Sequence, residues 1–315
     1  MKILISGALG HIGSKLTHSI KPGEFEEVRM VDNLSTQRYA SLFNLPKDVN
    51  FSFVEDDILK ANMNSLTKDI DVMIHLAAIT DATASFDNRE EVEQVNYEGT
   101  KKVAQACMEN GVRLLFPSTT SVYGSQSEVV DETCPIEELK PLSPYAEYKL
   151  KSEQMLQEMG KNQELKFVIC RFGTIFGTSI GMRFHTAVNK FCWQAMMGQP
   201  LTVWKTAMNQ NRPYLGINDS VRVIMFIIEN DLFDDEIYNV VSSNNSVREI
   251  VDSIRQSFPR LEIVMVESEI MNQLSYHVCS QRIRDEGFSF NDNIVTGVIE
   301  TVNLLKNSNQ KDNVL

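Results

Sequence analysis

The sequence is poor in cysteine, and its cysteines follow no regular spacing. Five cysteines are spread over 315 residues, and none of them forms a Cys-x-x-Cys pair. An odd count without paired spacing indicates neither a disulfide framework nor a zinc site. We therefore expect no metal site, and we expect each cysteine to be a small buried side chain in a reducing compartment.

The sequence is also short of basic residues and of long apolar runs. Its 30 lysines and arginines face 42 aspartates and glutamates, which gives a formal net charge of −12. An acidic surface repels a phosphate backbone, so we expect no nucleic-acid partner. No segment approaches the roughly 18 consecutive apolar residues of a membrane span, and no signal peptide precedes the first strand. We therefore expect a cytoplasmic protein without a membrane partner.

Short apolar runs alternate with amphipathic stretches over the first part of the chain. Residues 2–6 are typical of a central parallel strand, and the next stretch carries Ile12, Leu16 and Ile20 on one helical stripe. Further strands are predicted at 27–31, 51–54, 71–75, 113–117 and 167–171, and the clearest helices at 90–109 and 144–159. Strands that alternate with helices predict an α/β fold, a doubly wound parallel sheet covered on both faces.

The pattern loosens after about residue 177. A helix is predicted at 186–197, strands at 237–241 and 262–266, and a capping box at Ser246 opens a further helix. We predict a nucleotide-binding domain over residues 1–172 and a smaller C-terminal α/β substrate lobe over 173–315. We leave open that the elements at about 212–245 belong to the first domain. The polar tail after Asn307 is expected to fray.

Three glycines form a Gly-x-x-Gly-x-x-Gly loop between the first strand and the first helix. At Gly7, Gly10 and Gly13, backbone N–H groups and the positive end of the helix face one point, which suits a pyrophosphate. Asp32 ends the second strand, where a carboxylate accepts hydrogen bonds from a ribose and repels a 2′-phosphate. The pattern indicates a Rossmann-type domain that binds NAD rather than NADP. The alternative is a structural turn with an incidental aspartate.

Polar and small residues end the third and fourth strands. Asp57 either accepts a hydrogen bond from an adenine amine or lies in a solvated acidic turn. The segment Leu76-Ala77-Ala78 leaves room for a cofactor across the sheet edge. His75 by itself is better explained as a hydrogen-bonded core histidine than as a catalyst.

Tyr145 and Lys149 share one face of a helix that Pro144 opens. A phenol has a pKa near 10, but a neighbouring ammonium and an oxidised nicotinamide would lower it. The phenolate could then take a proton from a substrate hydroxyl while hydride leaves the same carbon. Tyr148 is the competing tyrosine, but its i+4 neighbour, Ser152, carries no charge. The alternative is an exposed helix with a chance Tyr-x-x-x-Lys.

These residues resemble the extended short-chain dehydrogenase/reductase family, in particular its NAD-dependent, UDP-glucose 4-epimerase-like nucleotide-sugar epimerases and dehydratases. The resemblance covers nearly the whole chain. It rests on the glycine loop, Val31-Asp32-Asn33, Asp57-Ile58, His75-Leu76-Ala77-Ala78, Asn96, Ser118–Gly124, Tyr145 with Lys149, Arg171–Gly177 and Arg212-Pro213-Tyr214.

The resemblance implies a role for individual residues. Thr119 matches the family's catalytic hydroxyl, Tyr145 its base, and Lys149 the lysine that binds the nicotinamide ribose and tunes that base. The implied cofactor contacts are Gly7, Gly10, His11, Ile12, Gly13, Asp32, Asn33, Asp57, Ile58, Leu76, Ala77, Ala78, Asn96, Tyr145 and Lys149. The implied substrate contacts are Thr80, Thr119, Thr120, Thr174, Arg183 and Arg212.

The sequence departs from the family pattern at several positions. Thr120 and Ser121 stand where dehydratases carry an Asp-Glu pair, so a 4,6-dehydratase is disfavoured. Thr174 replaces an asparagine that meets the substrate phosphates, and Leu274 replaces an arginine near the C-terminus. The stretch around Arg183 resembles a subgroup that oxidises sugar nucleotides at C4.

We therefore predict a nucleotide-sugar 4-epimerase that oxidises C4 transiently with NAD and returns the hydride. The alternatives are a nucleotide-sugar 4-dehydrogenase or 4-ketoreductase with the same site, and a non-catalytic NAD-sensing protein on the same fold. A homodimer through helices 90–109 and 144–159 is also expected. Its candidate contacts are Val92, Val95, Val103, Cys107, Met155 and Met159, unless these face only their own sheet.

Overall fold

The computed structural model describes residues 1–124, 129–163, 165–267 and 276–308. The strands in these ranges are β1 (Lys2–Ser6), β2 (Glu27–Asp32), β3 (Phe51–Glu55), β4 (Val72–His75), β5 (Arg113–Thr119), β6 (Val129–Val130), β7 (Phe167–Phe172), β8 (Thr174–Phe176), β9 (Leu201–Trp204), β10 (Asn211–Gly216), β11 (Ile237–Val240), β12 (Ser243–Ser246), β13 (Ile263–Val266) and β14 (His277–Val278). The α-helices are α1 (His11–Ser19), α2 (Met63–Thr67), α3 (Arg89–Glu93), α4 (Gly99–Asn110), α5 (Pro144–Gln163), α6 (Ala187–Met196), α7 (Ile217–Glu229), α8 (Val247–Arg255), α9 (Gln281–Asp285) and α10 (Ile294–Leu305).

The main element is a seven-stranded sheet in the order β11-β7-β5-β4-β1-β2-β3. All its neighbouring strands run parallel. The chain order reverses between β1 and β4, where Ser6 pairs with His75. Ligands of such sheets bind outside the carboxyl ends of the strands at this reversal. The predicted Rossmann-type α/β fold is confirmed.

Both faces of the sheet are covered, which explains the uninterrupted apolar runs in its central strands. Along β1, Ile3 and Ile5 join a core with residues of α1 and α7. Leu4 points to the other face and joins a second core with residues of α4 and α5. Successive side chains of a strand alternate between faces, so a sheet with helices on both sides needs a continuous apolar run.

The C-terminal elements build smaller sheets around a third core. Strands β8, β10 and β12 form a three-stranded sheet, and β9 pairs with β13. Helices α6, α8 and α10 contribute side chains such as Phe191, Ile250 and Val298 to a core with Phe176 and Leu201. Between β10 and β12 the chain passes through α7 and returns to the main sheet as β11, beside β7. These strands have only three to six residues, too few for a sequence pattern to reveal most of them.

The predicted helix at 90–109 is interrupted. Residues Gln94–Glu98 form a π-helical turn between α3 and α4. Within that turn, Asn96 bonds both polar atoms of its side chain to the backbone of Ile79, at 2.8 Å each. A π turn inserts an extra residue into the helical repeat and often lies at a functional site. Here it anchors the segment that follows β4.

Three structural facts concern the composition-based expectations. Among the described residues, no helix has the length and apolarity needed to cross a membrane, and no cluster of His, Cys, Asp and Glu could hold a metal ion. The five cysteines are unpaired, and Cys134 and Cys279 are only half-buried, so the prediction that every cysteine is buried is wrong for these two. The cytoplasmic location stays a prediction. The departure at Leu274 and most of the tail lie outside the described residues.

Candidate active site

The glycine loop brings backbone into contact with backbone. Gly7 has a φ of +64°, and a Cβ there would lie 2.6 Å from the Ala77 nitrogen at the end of β4. A Cβ on Gly13 would lie 2.6 Å from the carbonyl oxygens of Gly7 and Ala8. Gly10 is the N-cap residue of α1 and has no side chain to occupy that end. The N–H groups of the first helical turn therefore remain open toward the crevice.

Asp32 is fixed beside this loop. Its Oδ2 accepts a hydrogen bond from Leu9 N at 3.1 Å, and its Oδ1 accepts one from Leu34 N at 2.9 Å. Asn33 donates from Nδ2 to Asp57 Oδ2 at 2.9 Å, which joins the ends of β2 and β3. Ile58 is buried behind them. The structure thus brings together the residues predicted to hold the adenosine end of a cofactor.

Tyr145 and Lys149 line one cavity from the first turns of α5. Lys149 is 4% exposed and donates from Nζ to the Pro117 carbonyl at 2.7 Å. Its ammonium also lies 4.3 Å from the centre of the Phe116 ring. Burial lowers the pKa of Lys149 to about 7, and the charge of Glu153 raises it in part. Tyr148 does not line this cavity, and its hydroxyl donates to Glu93 at 2.9 Å.

The Tyr145 phenol is under opposing influences. Burial raises its pKa, whereas the charge of Arg183 and a hydrogen bond with the Thr119 side chain lower it. The groups that would stabilise a phenolate in this structure are therefore Arg183 and Thr119. The sequence-based prediction assigned the stabilisation of a Tyr145 phenolate to Lys149. The charge of Lys149, however, itself depends on the residues around it.

The end of β5 supplies the hydroxyl groups, but not in the predicted set. Thr119 lines the cavity, and its Oγ1 accepts a hydrogen bond from Ser121 N at 3.1 Å. Thr120, predicted as a substrate contact, is buried and donates to the Phe172 carbonyl at 3.3 Å. Ser121 lines the cavity instead. Thr119 and Ser121, two residues apart, thus line the cavity, and Thr120 between them does not; the prediction for Thr120 came from the family resemblance.

The cavity has a volume of about 390 Å³ and is shared by the main sheet and the C-terminal elements. Ile12, Leu76 and Ala78 lie on the sheet side. Lining residues that the sequence had singled out as substrate contacts are Thr80, Thr119, Thr174, Arg183 and Arg212. Arg212 is half-buried on β10. The cavity is therefore lined jointly by the carboxyl ends of the main-sheet strands, by α5 and by the C-terminal elements.

A segment after β8 covers the glycine loop and carries Arg183. The Ser179 hydroxyl lies 2.7 Å from His11 Nδ1, and Gly181 N donates to Ser14 Oγ at 2.9 Å. Arg183 donates from Nη1 to Thr80 Oγ1 at 2.5 Å. Its Nε is buried and has no hydrogen-bond partner among the described residues. This unpaired donor is oriented for a ligand.

Asn96, a predicted cofactor contact, and His75, a predicted core histidine, are both engaged within the protein. Asn96 is buried, and its side chain is fully used by the Ile79 backbone, so it positions the loop after β4. His75 is bonded at both ring nitrogens, with Nδ1 2.7 Å from Ser6 Oγ and Nε2 3.1 Å from Thr100 Oγ1. This agrees with the expectation of a hydrogen-bonded core histidine.

Sequence reasoning missed several residues around the cavity. Arg38 follows β2 in the chain, and its Nη1 lies 3.8 Å from the place of a Cβ on Gly10. Burial lowers its pKa while the charge of Asp32 raises it. No spacing pattern marks an arginine in an irregular loop, so only the fold reveals it. Other lining residues that were not predicted as contacts are Asp81, Ser121, His185, Lys190 and Trp204.

The arrangement fits a dinucleotide. The loop around Gly10 would hold a pyrophosphate, because its N–H groups are open and the cations of Arg38 and Arg183 flank it. Asp32 would accept hydrogen bonds from the adenosine ribose. Lys149 would donate to the nicotinamide ribose, beside the wall formed by Leu76 and Ala78.

We predict that Gly13→Ala weakens NAD binding about tenfold or more. Its Cβ would overlap the carbonyls of Gly7 and Ala8, so α1 must move away from β1 and take its N–H groups with it. Calorimetric titration with NAD measures the change. Gly23→Ala is the control for backbone strain away from the loop, because Gly23 has a φ of +86° while its Cβ would meet no atom within 4 Å. Unchanged affinity in Gly13→Ala would show that the loop does not hold the cofactor.

We also predict that folding stability falls in acid because of His75. Burial and the charge of Lys149 lower the pKa of His75 to about 3, from an ordinary value of 6.5. Below pH 6.5 the unfolded chain binds a proton that the folded chain rejects, so stability is lost as the pH falls from 6.5 toward 3. The slope is at most about 1.4 kcal/mol per pH unit.

Urea unfolding at several pH values between about 5 and 7 measures this slope. His75→Gln keeps hydrogen-bonding capacity without titrating, so its slope should be smaller. His277→Gln, at an exposed position on β14, should retain the wild-type slope. Equal slopes in wild type and His75→Gln would contradict the assignment.

Comparison with known proteins gives a consistent result. The model of the NAD dependent epimerase/dehydratase family matches residues 3–240. An uncharacterized UDP-glucose epimerase of Bacillus subtilis (strain 168) is 30% identical over 235 residues, which cover 72% of each chain. A trifunctional Arabidopsis thaliana enzyme, named in part UDP-glucose 4,6-dehydratase, is 26% identical over 95% of this chain. The match spans 46% of that longer protein.

Solved structures share the whole fold. UDP-glucuronic acid 4-epimerase from Bacillus cereus, in complex with UDP-glucuronic acid and NAD, superposes with a TM-score of 0.89. The two chains are 25% identical, and the match covers 98% of this chain and 100% of the other. The chain belongs to the NAD-dependent epimerase/dehydratase family and is an NAD-dependent enzyme of the extended short-chain dehydrogenase/reductase type.

Proposed function

We propose that this enzyme is a nucleotide-sugar 4-epimerase. The observation that carries the proposal is the convergence of Tyr145, Lys149 and Thr119 on one cavity, opposite the wall of Leu76 and Ala78. A base, a hydroxyl donor and a cation around one space suit the reversible oxidation of a secondary alcohol. An epimerase uses that step twice, once in each direction.

The chain's own groups would move the proton. Thr119 accepts the Ser121 N–H at its Oγ1, and its hydroxyl bonds with the Tyr145 phenol. With a substrate bound, the same hydroxyl hydrogen would be donated to the reacting oxygen instead. Tyr145 would take the proton of the C4 hydroxyl and return it after the keto sugar presents its other face. Bound NAD supplies the hydride acceptor for the first half and the donor for the second. Lys149 would hold the nicotinamide ribose in reach of Tyr145.

The C-terminal side of the cavity would hold the nucleotide. Arg212 and Thr174 line it, and an arginine suits a diphosphate because its planar donors form paired hydrogen bonds. Trp204 and Phe191 offer an apolar wall for a base. Relatives with UDP-sugar names support a UDP-linked substrate. On this proposal residues 1–172 bind NAD and residues 173–315 bind the nucleotide sugar, while β11 returns to the main sheet.

Family members also include decarboxylases and dehydratases. Elimination of water needs an acid–base pair beside the sugar, and this chain has Thr120 and Ser121 where dehydratases of the family carry Asp-Glu. Thr120 also donates to the Phe172 carbonyl and does not line the cavity. These observations favour hydride return over elimination.

We predict that Tyr145→Phe lowers kcat about 10²- to 10⁴-fold, because it removes the proton acceptor and changes little else. NAD affinity should stay near that of wild type. Product analysis with a panel of UDP-sugars, together with absorbance of reduced nicotinamide, measures turnover. Wild type should form a C4 epimer without lasting NADH.

The matched control is Tyr148→Phe, one turn away on the same helix, where the hydroxyl contacts Glu93. It should retain most of the activity. Lasting NADH would instead identify a net dehydrogenase. Equal inactivity of wild type and Tyr145→Phe, with NAD still bound, would leave a non-catalytic NAD-binding protein.

We further propose a homodimer through α4 and α5. Of the six apolar side chains named for this surface, Val92, Val103, Cys107 and Met159 are buried in their own chain. Val95 and Met155 are half-buried, and Met155 also packs in part against its own core. We predict a dimer mass in light scattering at micromolar concentration, and dissociation in a Met155→Glu variant. A monomer in wild type would refute the proposal.

A further inference from the structure

Glu153 is a buried carboxylate close to the catalytic groups that no sequence motif singled out. It lies one helical turn after Lys149 on α5 and is 1% exposed. Arg171 of β7 donates to it from Nε at 3.1 and 3.2 Å and from Nη2 at 2.7 Å. The Ser118 hydroxyl donates to its Oε1. All these partners are buried, so this cluster is shielded from solvent.

The cluster connects the elements that carry the candidate catalytic groups. Ser118 directly precedes Thr119, and in the sheet it pairs with Arg171 across β5 and β7. The residue before it, Pro117, accepts the hydrogen bond from Lys149 Nζ at 2.7 Å. Glu153 therefore ties the end of β5 to the helix that presents Tyr145 and Lys149.

The cluster also sets the charge around Lys149. An ammonium that is 4% exposed is unstable without a counter-charge. Four titratable or charged groups face it: Tyr145 and Glu153 on its own helix, His75 at the end of β4, and Arg171 on β7. His75 is neutral at physiological pH, and Arg171 is held by Glu153. Among these described groups, Glu153 is the carboxylate that favours a charged Lys149.

We propose that Glu153 is a positioning residue of the active site, which keeps Lys149 protonated and fixes the strand end that carries Thr119. It touches neither cofactor nor substrate and acts through Lys149, Ser118 and Arg171. Its kinetic consequence rests on the proposed function, but its effect on Lys149 does not. Arg171 limits that effect, because it shares the negative charge of Glu153.

The sign of the pH effect follows from the two groups. Burial lowers the pKa of Lys149 to about 7, and Glu153 opposes that fall. Removing the carboxylate charge should lower the pKa of Lys149 further, by about one unit. The ammonium is then lost at a lower pH, so the alkaline limb of the kcat profile should move to lower pH.

The test compares Glu153→Gln with wild type in the NAD-loaded protein. Carbon-13 NMR of the lysine ε-methylene groups, assigned with Lys149→Met, reports the midpoint of the Lys149 titration without any sugar. We expect the midpoint to fall by about one pH unit in Glu153→Gln. Glu158→Gln, at an exposed position on the same helix, should leave it unchanged.

Glu153→Asp keeps the charge but withdraws it by one methylene, so it should give a smaller shift in the same direction. It also covers the case in which Glu153→Gln does not fold. If the Lys149 midpoint stays unchanged in every Glu153 variant that folds, even with a lower Tm, Glu153 is only structural and the proposal is wrong.

A second arm separates this inference from the proposed function. With an active UDP-sugar, Glu153→Gln should lower kcat more than it raises KM and should move the alkaline limb with the NMR midpoint. A shifted midpoint in a protein that converts no UDP-sugar would support the role of Glu153 and refute the 4-epimerase. Normal epimerase activity with an unshifted Lys149 midpoint would support the 4-epimerase and refute the role of Glu153.

Discussion

A buried ammonium group loses its charge unless the protein supplies a counter-charge, and the active site is organised around this constraint at Lys149. The side chain is nearly inaccessible to water and lies between the Phe116 ring and the Pro117 carbonyl. A carbonyl and an aromatic face stabilise a cation only in part. The remaining stabilisation has to come from Glu153, whose own burial requires Arg171 and Ser118. One catalytic cation thus requires an extended polar cluster in the core.

Close backbone approach is the second constraint, and it connects the two halves of the site. The carbonyls of Leu9 and Gly10 lie within 2.6 Å of where a Cβ on Gly181 would be. Gly181 therefore lets the segment after β8 rest directly on the glycine loop. The same segment delivers Arg183 to Thr80 and toward Tyr145. The contact of Gly181 with the glycine loop therefore fixes the distance between that loop and the phenol of Tyr145.

The parts of the fold that were predictable are those in which local sequence decides local structure. The strand of residues 2–6, the glycine loop, Asp32 and the i, i+4 pair of Tyr145 and Lys149 depend on short spacings, and the structure places them as expected. Arg38, Glu153 and Ser121 were missed because their importance comes from contacts between distant segments. The π turn at Gln94–Glu98 was missed for the same reason, since its partner is Ile79. Thr120 was named as a substrate contact from the family resemblance alone, but in the structure it bonds to the Phe172 carbonyl and does not line the cavity.

The end of β5, rather than the base, is where this chain departs from the dehydratase pattern described by the resemblance. A tyrosine, a lysine and a threonine can run hydride transfer in both directions, whatever reaction follows. A subsequent elimination requires carboxyl groups beside the keto sugar. Along the described wall of this cavity, Asp81 is the carboxylate, and it lies near the Arg183 cation rather than after Thr119. His185 is close to it too, but burial and the charge of Arg183 lower the pKa of His185 to about 4, so that ring is neutral near pH 7. The carboxylate of this wall therefore does not stand where the Asp-Glu pair of dehydratases stands, so on the proposed function hydride return is the best-supported outcome for a keto sugar.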